Sequence, residues 1–316
     1  GFGLWSIPLG ILINELIILT VNFFNAVNLF RSLFIKISFD IKIIKEYLKI
    51  SPLLTLTTVG NAITNSSQPL LIAMFLGPQI TAIYMINRKA ADIIFSLLNV
   101  FVGSTMGSFS HLVSNQNKEK ISAVMKSLVI LCFSIGAIGY TAYVAANEAF
   151  ISLWVGETFS LDKSIILFIA LASFSRVFGG LFRTMLFGLG DFVVPSILVF
   201  FESIVSILLV ISLIDFVGVA AVPIVYTLSM LLVVIILGLR LKKECMVTFN
   251  AKSTVKLFFS GALVFFIGMV IASSNLGLNT WFEFAVYLSL FSLIISIIII
   301  IINLKDFVDI YKKHFR

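Results

Sequence analysis

The chain has 316 residues, of which 60% are hydrophobic and only 12% charged, with a mean hydropathy of +1.13. A water-soluble domain is roughly half apolar and about a quarter charged, so this composition excludes one and implies a membrane protein. At about 20 apolar residues per crossing there is room for about eight to ten spans, which also excludes a soluble enzyme with one anchor. The formal net charge of +7 suggests nucleic acid at first sight, but in a polytopic protein excess Lys and Arg marks cytoplasmic loops, and no nucleic-acid partner is expected.

In chain order, apolar runs long enough to cross fall at Trp5–Leu29, Ile50–Leu76, Ile80–Leu112, Val124–Ala146, Ile165–Phe187, Val193–Ile214, Val217–Leu239, Val255–Ala272 and Trp281–Ile302. They are too long for barrel strands of about 10 residues and lack two-residue alternation, so the fold class is all-α, a polytopic helix bundle of nine spans. The chain starts at Gly1 inside an apolar run with no basic region before it, unlike a signal peptide. Cys132 and Cys245 form no CxxC or metal-ligand pattern, so neither disulfide nor metal site is expected.

Basic residues fall on alternate connections. Arg31, Lys36, Lys42, Lys45 and Lys49 follow the first span. Lys118, Lys120 and Lys126 follow the third, Arg240, Lys242, Lys243, Lys252 and Lys256 the seventh, and Lys305, Lys312, Lys313 and Arg316 the ninth. The positive-inside rule makes that side, with the C-terminus, cytoplasmic. The other side has Lys163 beside Glu148, Glu157 and Asp162, and Trp5, Trp154 and Trp281 all fall at its edge, as an interfacial belt would place them. The stretch 30–49 alternates Lys with Ile, Phe and Leu and reads as an amphipathic linker helix on the cytoplasmic leaflet, with a solvated linker as the plainer alternative. It separates 1–29 from an eight-span remainder, of which 50–240 holds six spans and 241–316 a basic connection, two further spans and the tail. A weak repeat agrees with this division: Gly3-Leu4-Trp5-Ser6-Ile7-Pro8 aligns with Gly218-Val219-Ala220-Ala221-Val222-Pro223, six spans on and in the same crossing direction.

Charged groups at membrane depth cost about 2.5 to 3.5 kcal/mol each on insertion scales and normally face the bundle interior. Thr57, Asn61, Asn65 and Gln68 form one stripe of the second span, and Tyr84, Arg88, Asp92, Ser96, Asn99 and Gly103 one stripe of the third. Arg88 lies roughly 10 Å and Asp92 about 16 Å from the outer end; Arg176 is about 16 Å deep in the fifth span, with Arg183 on the same face near the cytoplasmic edge. Glu15 and Glu202 are also near mid-membrane. The arginines could line a polar cavity; equally, Arg88 with Asp92 and Arg176 with Glu202 could be structural ion pairs, and the Asn and Thr stripe could serve interhelical bonding. Glu15, Asp92 and Glu202 are the candidates for binding a coupling proton or Na⁺. Gly103 to Gly107 is a GxxxG that reads as close helix packing, and Asn65-Ser66-Ser67 is sequon-like but at membrane depth. His111 and His314 read as bystanders. No HExxH, Walker loop or GxGxxG is present, so no enzyme activity and no cofactor are expected.

Leu76-Gly77-Pro78-Gln79-Ile80-Thr81-Ala82-Ile83-Tyr84 with Arg88, Phe150-Ile151-Ser152-Leu153-Trp154-Val155-Gly156, the Gly188-Leu189-Gly190-Asp191 turn and the Gly218-Val219-Ala220-Ala221 helix start follow one another in order over residues 1 to 245. Together they resemble polysaccharide (O-antigen or capsule, Wzx-type) flippases of the multidrug/oligosaccharidyl-lipid/polysaccharide exporter superfamily. The resemblance implies that 1–29 is the last helix of an N-lobe, 50–240 a six-helix C-lobe, and the final two spans the additional pair of 14-helix members, with the earlier N-lobe helices expected upstream of Gly1. It also implies a bacterial inner-membrane protein moving an undecaprenyl-diphosphate-linked oligosaccharide between leaflets, next to membrane lipid and glycan polymerase machinery. Arg88, Arg176 and Arg183 would then meet pyrophosphate, and Asn61, Asn65 and Gln68 sugars. A lipid II flippase and a cation-coupled drug exporter are the alternatives within the superfamily; a glycan polymerase would need a large outer loop with catalytic Arg or His, and the longest outer connection, 147–164, has no His.

Overall fold

A computed structural model describes residues 6–32, 40–114, 118–245, 251–272, 278 and 280–314. Among them are nine α-helices: α1 (Ser6–Ser32), α2 (Ile41–Leu76), α3 (Pro78–Ser114), α4 (Lys118–Trp154), α5 (Lys163–Gly188), α6 (Val193–Val217), α7 (Ala221–Cys245), α8 (Ala251–Ala272) and α9 (Trp281–His314). One-turn 3-10 pieces occur at Glu157–Phe159 and Gly218–Ala220, and the described residues contain no strand. The protein is an all-α, polytopic membrane bundle, because only internally bonded helices satisfy their own backbone in hydrocarbon without closing a barrel.

The sequence gives nine apolar runs; by length and apolarity six stretches of the structure qualify as crossings: Pro8–Ser32, Pro78–Val113, Lys120–Trp154, Lys163–Gly188, Val193–Glu244 and Trp281–Asn303. The fifth of these contains both α6 and α7, on either side of the Gly218–Ala220 turn. Phe259–Ala272 of α8 is a shorter apolar helix, and α2, diluted by Thr57, Asn61, Thr64, Asn65 and Gln68, is not among the six.

Two compact units are present, Gly1–Lys49 and Ile50–Arg316. In the first, α1 leaves nearly all its side chains exposed, Glu15 among them. Of the stretch read as an amphipathic linker, Phe30–Ser32 end α1, 33–39 with Lys36 lie outside the described residues, and 41–49 form the first turns of α2, continuous with the second apolar run.

In the second unit α5 is central. It packs on α3, α4 and α7, while α6 packs on α7, and α8 and α9 pack on α4. The main core joins Tyr84, Ala91, Met125, Tyr140, Leu181, Met185, Val222 and Leu237; a second cluster, with Ala137, Ala145, Val264, Ile295 and Ile299, fixes α8 and α9 to α4. Phe133, Phe174 and Phe178 link the two, with ring centroids 5.1 to 6.2 Å apart. Leu97, Val100, Phe201, Leu208, Leu228, Leu232, Phe266 and Leu290 are exposed on the opposite faces, where lipid takes the place of water.

Glycine sets the close contacts. A Cβ on Gly261 of α8 would stand 2.6 Å from the Phe133 ring, and one on Gly268 2.8 Å from Thr141 Cγ2 and 3.2 Å from its carbonyl oxygen, so α8 lies against α4 only because both side chains are absent. The GxxxG of α3 is not such a site: Gly103 and Gly107 are exposed, and a Cβ on either meets nothing within 4 Å. Spacing identifies a smooth stripe but not which way it faces. Between α2 and α3, Gly77 takes φ 89° and Pro78 opens the next helix, where its missing N–H costs no bond.

At one end of this unit Trp154 and Trp281 are half exposed and gather with Phe150 and Phe284, and Lys163 pairs with Glu148 at 3.2 Å. Trp5 lies outside the described residues, as do Gly3 and Leu4 of the repeat. At the other end Arg240 binds Asp191 of the α5–α6 turn at 2.8 Å and Glu244 at 3.1 Å. The side chains of Lys118, Lys252, Lys305, Lys312, Lys313, His314 and Arg316 lie outside the described residues.

Candidate functional site: a cationic cavity between α2, α3, α5 and α7

Four helices enclose a small cavity of about 30 Å³, room for one or two waters, lined by Thr64 and Gln68 from α2, Tyr84 and Arg88 from α3, Ser173 and Arg176 from α5, and Tyr226 from α7. Helical repeat places the α3 groups: Tyr84, Arg88 and Asp92 are four apart and share a face. Pro69 follows Gln68 inside α2 and removes one helix hydrogen bond at that level.

Arg88, 8% exposed, is held from both sides. Its Nε donates to Asp92 Oδ1 at 3.0 Å and its Nη1 donates to Gln68 Oε1, which also accepts from the Tyr84 hydroxyl at 3.3 Å. Tyr226 and Ser67 share a hydroxyl–hydroxyl bond of 3.1 Å, joining α7 to α2. Arg176 is held differently. Its guanidinium carbon lies 4.0 Å from the centre of the Phe95 ring, and among the described residues no carboxylate pairs with it. Thr64 Oγ1 is buried without a hydrogen-bond partner among the described residues. The lining therefore presents two guanidiniums, an amide and several hydroxyls around one space, and no carboxylate, a donor set suited to anionic or hydroxyl oxygen.

The residues singled out from sequence separate here. Gln68, Tyr84, Arg88 and Arg176 come together. Asp92 neutralises Arg88, as its i,i+4 spacing allowed. Thr57 is buried but donates to Ser196 of α6 at 2.9 Å, away from the cavity lining. Asn61 is half-buried and Asn65 exposed, so the α2 stripe does not point as one face into the cavity; Asn65 and Ser66 of the sequon-like triplet are exposed rather than buried. On α3, Ser96, Asn99 and Gly103 run out of the core onto an exposed face. Arg183, two turns beyond Arg176, is partly buried, outside the cavity lining, and without an ion-pair partner among the described residues.

The ion pair considered for Arg176 and Glu202 is not formed. Glu202 Oε1 instead accepts from Ser206 at 2.8 Å and Ser229 at 2.7 Å, because its face of α6 packs on α7. Glu15 belongs to the first unit and is exposed. His111 is exposed. Cys132 is a buried free thiol, and no group of three or more His, Cys, Asp or Glu that could hold a metal is present among the described residues.

Three lining residues escape the sequence stripes. Tyr226 and Ser173 are polar positions in apolar spans, and Thr64 shares the helix face of Thr57 and Gln68, seven residues after the one and four before the other, without being one of the residues read as the stripe. Tyr226, Thr227 and Ser229 cluster in one turn of an apolar helix, a local signal that could have singled out α7. Outside the cavity lining, Asn87 is a fully buried hub that the stripes also miss: its Nδ2 donates to the Ile83 and Phe159 carbonyls, its Oδ1 accepts from Asn147 and from the Leu161 amide, and its carbonyl accepts from Tyr143. It ties the connection between α4 and α5 to α3, one residue before Arg88.

A family model described as "Polysaccharide biosynthesis protein" matches residues 1–162, just over half of the chain. The chain belongs to the polysaccharide biosynthesis protein family. The match covers α1 to α4, and with them Gln68, Tyr84, Arg88 and the hub at Asn87; α5 and α7, which supply Arg176 and Tyr226, lie beyond it. No curated protein and no solved structure matches the chain. This polysaccharide biosynthesis protein is thus a multi-pass membrane protein with a buried cationic cavity in its larger unit.

Proposed function

We propose that the chain acts as a lipid-linked oligosaccharide flippase, moving an undecaprenyl-diphosphate-linked O-antigen or capsule repeat across the bacterial inner membrane by alternating access. The observation that carries this is the pairing of Arg88 and Arg176 around one donor-rich cavity inside a membrane bundle of a polysaccharide biosynthesis family. Sugar hydroxyls and a pyrophosphate cannot cross hydrocarbon unassisted, since each unpaired polar group costs several kcal/mol, whereas the prenyl chain can stay in lipid. Arg176, without a carboxylate partner among the described residues, meets the pyrophosphate; Arg183 precedes it toward the cytoplasmic side, and Gln68 with the half-buried Asn61 contacts sugar. The cavity is too small for a diphosphate in this conformation, so substrate entry requires α2 and α3 to move relative to α5 and α7, the motion alternating access supplies.

In this reading the basic connections and the C-terminal tail are cytoplasmic, glycan polymerase machinery receives the product, and the protein transports rather than reacts. A drug exporter would need acids facing its cargo, while the charged lining here is arginine. Complementation of a flippase-null strain tests the proposal, scored for surface glycan and separately for drug tolerance. Restored glycan that is lost in Arg176→Ala at normal protein levels supports it; drug tolerance without glycan, or an unaffected Arg176→Ala, contradicts it.

A further inference from the structure

Asn87 uses the whole hydrogen-bonding capacity of its side chain to hold other elements to α3. An amide has two N–H hydrogens and two lone pairs on its oxygen. Here Nδ2 donates to the Ile83 carbonyl at 2.8 Å and to the Phe159 carbonyl at 2.7 Å, and Oδ1 accepts from Asn147 Nδ2 at 3.0 Å and from the Leu161 amide at 3.3 Å. Its backbone carbonyl accepts from the Tyr143 hydroxyl at 3.1 Å. The bond to Ile83 stays within α3; the others reach α4 and the connection between α4 and α5.

That connection is held in shape by bonds of its own. Gly156 turns the chain with φ 115°, and the Phe159 and Ser160 amides donate to the Gly156 and Glu157 carbonyls at 3.1 Å, which leaves the Phe159 carbonyl and the Leu161 amide to meet Asn87. One residue after Leu161, the Asp162 carbonyl accepts from the Ile165 and Ile166 amides at 2.9 and 3.1 Å, so α5 starts directly from the clasped segment. A helix advances about 1.5 Å and turns about 100° per residue, so fixing the start of α5 against α3 fixes where Ser173 and Arg176 stand relative to Arg88. The bonds of Arg88 itself cannot do this, since Asp92 is on its own helix and Gln68 on α2.

We infer that Asn87 is a positioning residue for the ligand: it sets the spacing of the Arg88 and Arg176 guanidiniums across the cavity, and with it the preference of the site for a diphosphate over a monophosphate. A diphosphate offers each guanidinium a phosphoryl group of its own, whereas a monophosphate leaves the two to share one. The gain from holding both at once depends on their being fixed in place before the ligand arrives. Asn87 is not among the lining residues and touches no ligand, so it acts through the two arginines. The inference rests on the reading that this cavity receives a pyrophosphate, and it adds the α4–α5 connection to the parts that shape the site.

Native mass spectrometry of the full chain with undecaprenyl diphosphate and with undecaprenyl phosphate tests this in a cycle of Asn87→Ala, Arg176→Ala and the double variant. Each single variant should weaken the diphosphate by roughly tenfold and the monophosphate by less, so that the ratio of the two affinities falls. The double variant should bind the diphosphate no more weakly than Arg176→Ala, because the spacing no longer matters once one guanidinium is gone. A general loosening of the bundle by Asn87→Ala would instead add to the loss in Arg176→Ala and weaken both ligands alike. That result, or wild-type binding by Asn87→Ala, overturns the inference and leaves the role of Arg176 standing; equal binding by Arg176→Ala and the wild type overturns both. If Asn87→Ala does not fold, Tyr143→Phe/Asn147→Ala, which removes the bonds from α4 and keeps those to Phe159 and Leu161, takes its place. A fall in the affinity ratio that vanishes in the Arg176→Ala background then supports the inference, and an unchanged ratio overturns it.

Discussion

Arg88 and Arg176 carry the same charge and hold it in opposite ways. Arg88 is clamped by Asp92 and Gln68, so removing it leaves a carboxylate without its cation. Asp92 is a third exposed, which weakens the penalty relative to a fully buried pair. Arg88→Ala should therefore lower stability by about 1 to 2 kcal/mol, and Arg88→Ala/Asp92→Ala should recover part of that loss. Thermal unfolding in detergent of the two single variants and the double variant measures it; a double variant as unstable as the sum of the singles would mean that the pair is not coupled. Arg176, resting on the face of Phe95, leaves no anion stranded when truncated, so its loss bears on ligand binding more than on folding. Four-residue spacing made the Arg88–Asp92 pair legible in the sequence. The partner of Glu202 was not, because Ser229 comes from 27 residues away and only the packing of α6 on α7 brings it there.

At the scale of elements, apolar length and turn residues located the helices well. Helix orientation was harder to read. The α2 stripe seemed one face by spacing, yet Thr57 turns to α6, Gln68 to the cavity and Asn65 outward, since α2 meets different neighbours along its length and contains Pro52 and Pro69. The GxxxG of α3 misled for the same reason: spacing marks a smooth surface, and only the fold shows whether another helix covers it. Among the glycines that do meet a neighbour, Gly261 and Gly268 sit seven apart on α8, without a motif to announce them. Gly268→Val should dislodge α8 from α4 and destabilise the protein, because its side chain would meet the Thr141 backbone. Gly103→Ala and Gly107→Ala should be neutral, or stabilising by about 0.5 to 1 kcal/mol each through helix propensity. Unfolding midpoints of the three variants in the same detergent check this; destabilisation by the α3 changes and none by Gly268→Val would reverse the assignment.

At the scale of the molecule, composition established a membrane bundle and the placement of charge gave it an expected orientation, because both depend on sums over many residues. The cavity could be anticipated only in part. Arg88 and Arg176 stand out as charges within apolar runs, whereas Tyr226, Ser173 and Thr64 are ordinary polar residues that become part of a site once four helices meet. The family match covers the α2 and α3 side of that site, and Arg176 completes it from α5. The central claim is that this cavity receives the pyrophosphate of a lipid-linked glycan. Binding of undecaprenyl diphosphate to the purified chain, followed by native mass spectrometry for the wild type and Arg176→Ala, tests it most directly. One charge-assisted hydrogen bond is worth about 1.5 to 3 kcal/mol, so the account predicts a loss of affinity of roughly tenfold or more in the variant. Equal binding by the two proteins, with both folded, would contradict it.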